Sequence, residues 1–153
     1  MYRGLVADTL FCQLPVLNEP RLTATAELGR TVLAVDDEES ILVWLARSLG
    51  DFGYEVIKAP DRASAHAMLQ CAKIDALILD LRLARGSGLE VLEFVRAQRD
   101  LAGLPVIILT GVSHLTPEEE HAIRRHQAHV LYKPEGIDSI AETLGRLLRN
   151  LAN

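Results

Sequence analysis

The chain has 153 residues, 49% of them apolar and 24% charged, with a formal net charge of −5. That length fits one domain plus a short extension, with enough apolar side chains for a real core. The acidic balance leaves no basic surface to neutralise phosphates, which argues against direct nucleic-acid binding, and no apolar run is long enough to span a membrane.

Residues 1–30 differ from the rest. They hold Pro15, Pro20, Thr23 and Thr25 with no sustained period and read as an extension or linker. The apolar stretch from Leu5 to Leu17 is broken by Asp8 and preceded only by Arg3, so it does not resemble a signal peptide. Cys12 and Cys71 show neither a disulfide framework nor zinc-ligand spacing. A reducing, cytoplasmic setting is therefore expected.

From Thr31 onward strands and helices alternate. Apolar runs predict strands at Thr31–Val35, Tyr54–Ile57, Ala76–Leu79, Pro105–Leu109 and Val130–Tyr132. Three are almost unbroken Val, Ile, Leu and Ala, as in strands buried on both faces of a parallel sheet. Between them lie helical stripes: Ile41, Leu42, Leu45 and Leu49; then Ala63, Ala67, Met68 and Cys71; then Leu89, Leu92 and Val95 beside Val91. The segment from Pro117 to Gln127 is the least apolar, and the last stripe, Ile137 to Leu151, is the clearest. Asp61 is a candidate N-cap, as is Thr116 ahead of Pro117, while Gly53 can close the first helix. Strand–helix units repeated five times predict a doubly wound α/β fold with helices on both faces, over residues 31–153.

Ligands of such sheets sit beyond the carboxyl ends of the strands. The first strand ends in Asp36-Asp37, the third in Asp80, the fourth in Thr110 before Gly111, and the fifth in Lys133-Pro134. Three carboxylates together repel one another and raise each other's pKa. A hard divalent cation offsets that repulsion, and Mg²⁺ suits a few carboxylates, a carbonyl and retained waters. Lys133 adds a second positive charge and Thr110 a hydroxyl. Such a cluster suits phosphoryl transfer, which rests on positioning and charge neutralisation, and a carboxylate nucleophile gives an acyl phosphate.

The pattern Val35-Asp36-Asp37-Glu38, Leu79-Asp80-Leu81-Arg82-Leu83 with Gly88-Leu89-Glu90, Leu109-Thr110-Gly111 and Tyr132-Lys133-Pro134 resembles the receiver domain of two-component response regulators over roughly residues 31–151. The resemblance implies a flavodoxin-like parallel sheet of order 2-1-3-4-5 with five helices. It implies Asp80 as phospho-acceptor, Asp37 as a direct Mg²⁺ ligand, Asp36 acting largely through water, and the backbone carbonyl of Arg82 as a further ligand. Thr110 and Lys133 would contact the phosphoryl group, Gly111 would leave it room, and the Lys133-Pro134 bond would be cis. The donor would be a histidine kinase or phosphotransfer protein. The domain would be a switch of protein contacts that catalyses its own phosphorylation and dephosphorylation, without being a turnover enzyme.

Three positions depart from the family. Val130 stands where an aromatic usually swings inward, Glu135 follows the Pro where Phe is frequent, and Ala84 replaces a common Pro. Ala84-Arg-Gly-Ser-Gly88 is thus expected to be a pliant loop, and signalling to run through the loops around Ala84 and Val112. Tyr132 shares Val130's strand face and is not expected to replace the aromatic. The five histidines and Trp44 read as solvated or partly exposed, and Glu118–Glu120 with Arg124 and Arg125 as a solvated helix with local charge pairs.

Two other functions compete. A degenerate receiver acting only as a binding module is opposed by the presence of Asp36, Asp37, Asp80 and Lys133. A Mg²⁺-dependent aspartate phosphohydrolase needs a second Asp two residues after the nucleophile, where Arg82 stands. Leu10 to Val16 resembles the last strand of a histidine-kinase ATP-binding domain, which suggests the C-terminal receiver of a hybrid kinase. With no element expected after the last helix, output is expected through protein contacts, with an unknown target, or from parts absent from this chain. A homodimer through the face of the last two helices is left open.

Overall fold

The computed structural model describes residues 29–153. Strands β1 (Thr31–Val35), β2 (Glu55–Ala59), β3 (Ala76–Leu79), β4 (Val106–Thr110) and β5 (His129–Tyr132) alternate with helices α1 (Glu39–Gly50), α2 (Arg62–Cys71), α3 (Gly88–Ala97), α4 (Pro117–Arg125) and α5 (Ile137–Ala152). All ladders are parallel and the spatial order is β2-β1-β3-β4-β5, as expected. All of the extension except Gly29 and Arg30, the motif at Leu10–Val16 included, lies outside the described residues.

The unbroken apolar strands follow from this sandwich. Leu33 and Val35 of β1 face one layer of core with Leu77, Leu79, Val91, Leu92 and Val95. Val32 and Ala34 face the other with Leu42, Leu45, Leu49, Ile78, Ile107, Ile140 and Leu144. Two apolar faces per strand leave no polar position inside the central strands, so polar groups collect at their ends. The edge strand β5 is only half-covered, and Tyr132 is 45% exposed, too far out to stand in for an inward-turning aromatic.

Local signals behave as read for three turns. Asp61 caps α2 by accepting from the Ser64 amide, Thr116 caps α4, and Gly53 takes φ +91° just after α1. The α2 stripe does not. Its buried residues are Ala65 and Leu69, with Met68 and Ala72 partly covered, whereas Cys71 is exposed. Small alanines on several sides of this helix blur the stripe. Cys71 is also held in a disulfide, whose other half lies outside the described residues, so the cysteines do not support the reducing setting expected from their spacing.

His66 corrects another expectation. Its ring stacks on Phe94 at a centroid distance of 4.1 Å, between α2 and α3, and Nε2 is buried without a hydrogen-bond partner. Burial lowers its pKa below the ordinary 6.5, and the charge of Arg62 acts in the same direction. The fold therefore favours the neutral ring. That stability is complete above the unfolded value and is lost as pH falls through the lower folded one. His66→Phe keeps the stack without a proton site. Its urea midpoint, compared with wild type, is expected to improve progressively below about pH 6.5. A pH-independent difference would show that the ring titrates equally in both states.

Candidate functional site

Four of the five strands, all but β2, bring polar groups to the same edge. The chain leaves β1 at Asp36, where the Asp36 amide donates to the Ala59 carbonyl and the Asp80 amide to that of Val35. These ladder bonds set the two carboxylates side by side. Oxygens of Asp36, Asp37 and Asp80 lie within 4.8 Å of one another. Asp36 and Asp80 are buried, at 3% and 7% exposure, while Asp37 faces solvent.

Lys133 reaches this cluster from β5. Its amide donates to the Thr110 carbonyl, which fixes the end of the strand, and the Lys133-Pro134 bond is cis. Nζ donates to Asp36 Oδ2 at 2.6 Å and to Asp80 Oδ2 at 3.4 Å. Burial alone would lower the lysine's pKa, but the hydrogen bond and charge of Asp36, then those of Asp80, hold it above its ordinary value. It is an ammonium at neutral pH. Asp36 lies above the ordinary carboxylate range, chiefly through burial; the bonds from Lys133 and the Glu38 amide oppose that, and Asp80 adds to it. One ammonium does not offset the burial of this cluster, and a second cation would. The donor chemistry, three carboxylates converging with one solvent-facing, fits a hard divalent ion.

Thr110 is fully buried at the end of β4, with its hydroxyl 3.5 Å from the Val112 amide. Gly111 is exposed next to Lys133. Arg82 follows Asp80 by two residues and its amide lies 3.4 Å from Asp80 Oδ1. The Ala84–Ser87 loop is tied at both ends rather than loose: Arg82 bridges Ser87, and the Gly88 amide donates to the Leu81 carbonyl.

Of the α4 charges, Glu118, Glu120, Arg124 and Arg125 are exposed, as expected of a solvated helix, and Glu119 is the exception. Glu119 is only 8% exposed, forms a reciprocal capping box with Thr116 and pairs with Arg82. The spacing Thr116-x-x-Glu119 carried the capping signal. Nothing local pointed to the partner, 37 residues away.

Residues 32–145 match the response regulator receiver domain family. The chain belongs to that family. Receiver domains are phospho-acceptor switches of two-component signalling rather than conventional turnover enzymes. Among relatives, the chain is 32% identical over 121 residues to the photosynthetic apparatus regulatory protein RegA of Rhodobacter capsulatus, covering 78% of this chain and 64% of that protein. It is 35% identical over 84 residues to the phosphate regulon transcriptional regulatory protein PhoB of Pseudomonas aeruginosa, covering 55% and 37%. The chain thus spans between about a third and two thirds of these relatives' lengths. Among solved structures, the chemotaxis protein CheY4 of Vibrio cholerae aligns with TM-score 0.71 at 33% identity, over 78% of this chain and 98% of that one. The response regulator TrrA of Thermotoga maritima, solved with Mg²⁺ and BeF, aligns with TM-score 0.68 at 27% identity, over 77% and 98%.

Proposed function

We propose that this receiver domain takes a phosphoryl group onto Asp80 from a phospho-histidine. The observation that carries the reading is the convergence of Asp36, Asp37 and Asp80 around one ammonium, Lys133, at the carboxyl edge of the sheet. An Asp80 carboxylate oxygen attacks phosphorus, the P–N bond to the donor imidazole breaks, and its electron pair returns to the ring. Lys133 is placed to pair with the transferred oxygens, and Thr110 to donate its hydroxyl to one of them.

Asp37, Asp80 and the backbone carbonyl of Arg82 would hold Mg²⁺. Both Asp36 oxygens are already engaged, Oδ1 by the Glu38 amide at 2.9 Å and Oδ2 by Lys133, which favours contact through water for this residue. Bound there, Mg²⁺ supplies positive charge to the phosphoryl oxygens.

The donor we propose is a histidine kinase or phosphotransfer protein. Exposed Trp44 of α1 lines a cleft with Ile41, Lys133 and Pro134 beside the site, which offers the donor an apolar footing. No helix among the described residues is long and apolar enough to cross a membrane. We place the domain in the cytoplasm, where ATP feeds such donors. The output is a changed protein contact.

The test is intact mass after incubation with a small-molecule phosphodonor. A single phosphoryl adduct is expected with Mg²⁺ and none with a chelator. No adduct with either that donor or a phosphorylated histidine protein would sink the reading and leave a binding module.

A further inference from the structure

Two ion pairs hold the β3–α3 loop. Arg62 of α2 pairs with Glu90 on one side, and Arg82 pairs with Glu119 of α4 on the other. The second pair lies two residues from the acceptor. Its two halves are unequal. The Arg82 side chain is 49% exposed, so its guanidinium can swing without disturbing the core, whereas that of Glu119 is 10% exposed and fixed by the Thr116 amide at 2.8 Å. Arg82 also feels the charge of Asp80.

The helix at the far end is lightly anchored. Among the residues of α4 only Glu119 and Ile123 are buried. A charged contact thus carries much of what holds its first turn. Val130, partly buried on β5, is too short to transmit a signal by turning inward.

We propose that Arg82 is shared between two anions, and that phosphorylation of Asp80 draws it from Glu119 to the phosphoryl oxygens, releasing the first turn of α4. The inference rests on Asp80 being the acceptor. A phosphoryl group adds negative charge and three strong acceptors within reach of Arg82, and a guanidinium meets such oxygens with two parallel N–H bonds. Lys133 is already engaged by Asp36 and Asp80, so a second mobile cation has a role there. Once Arg82 leaves, Glu119 becomes a buried carboxylate without a counter-ion, which is costly. It turns to solvent, and its bond to the Thr116 amide breaks. Charge competition between β3 and α4 then does what the missing aromatic cannot.

Amide hydrogen exchange at residues 116–120 tests this, with and without phosphodonor and Mg²⁺, the adduct being counted by mass in the same samples. Glu119→Gln keeps the capping pattern but removes the charge, and Arg82→Ala removes the shared cation while keeping the backbone carbonyl. In wild type, exchange in that turn is expected to quicken about threefold to tenfold on phosphorylation. Arg82→Ala, which leaves the Glu119 carboxylate buried and unpaired, is expected to start at the faster rate and gain little more, whereas Glu119→Gln, which keeps the cap and has no charge to strand, is expected to stay near the unphosphorylated wild-type rate with or without the adduct. An adduct on wild type without faster exchange would overturn the proposal, as would an Arg82→Ala protein that responds like wild type. Absence of any adduct would remove the acceptor reading and this inference together.

Discussion

Asp80→Asn is expected to abolish the phosphoryl adduct completely while leaving the domain folded. Asparagine keeps the shape of the side chain and cannot form an acyl phosphate. The same variant is expected to be more stable than wild type when divalent cations are absent. Asp36 and Asp80 are both buried beside Asp37, and Lys133 is the ammonium among them. Neutralising Asp80 removes repulsion from two carboxylates. It weakens one contact to Lys133, at 3.4 Å, and leaves the shorter one to Asp36, at 2.6 Å. The net gain is on the order of 1 kcal/mol, read as a rise of several degrees in the unfolding temperature.

Added Mg²⁺ is expected to reverse the ranking. An ion that binds only the folded wild type stabilises it by about 2.7 kcal/mol at a hundred times its Kd. The variant, short of one ligand, gains less. Thermal scans with Mg²⁺ and with chelator separate the two effects. An adduct surviving in the variant would mean another acceptor. A lower unfolding temperature in chelator would mean that Asp80 is chiefly a structural partner of Lys133.

The sheet and the site were legible for the same reason. A strand buried on both faces admits no charge, so Asp36, Asp80 and Thr110 had to mark the ends of β1, β3 and β4, and an open α/β sheet gathers those ends, with that of β5 and its Lys133, at one edge. What stayed hidden depends on contacts distant in sequence. Thr116-x-x-Glu119 shows its cap locally, but burial of Glu119 depends on Arg82, which only the fold brings near. His66 looks like any helical histidine until Phe94 of α3 lies against it. On α2, alanines on several sides left the buried face undefined, and Ala65 and Leu69 took it. The loop after Asp80 looked pliant from Ala84 and Gly86. Its bonds run instead from Arg82, Leu81 and Ser87 to the start of α3.

That start of α3 is where the largest loss of stability is expected. Gly88 opens the helix and is buried, and its amide donates to the Leu81 carbonyl at 2.9 Å. A Cβ on Gly88 would press into the carbonyl oxygen of Asp80, lie 3.0 Å from the Asp80 carbonyl carbon and 3.1 Å from Leu81 Cα. All three are backbone atoms at the end of β3 and cannot rotate aside. The helix cannot back away freely either, because Val91, Leu92 and Val95 are fully buried beneath it. Gly88→Ala is therefore expected to cost about 2–4 kcal/mol, exceeding the 0.4–1 kcal/mol that a Gly→Ala change returns through the unfolded chain. Gly103→Ala, where a Cβ meets nothing within 4 Å, is expected to stay within about 0.5 kcal/mol of wild type or to gain slightly. Urea midpoints of the two variants measure the contrast. Two of the three displaced atoms belong to Asp80 itself, so Gly88→Ala is also expected to slow adduct formation under conditions where the protein remains folded. A variant as stable as wild type would show that α3 can slide off β3 without loss, and the close approach would then have no part in positioning the acceptor.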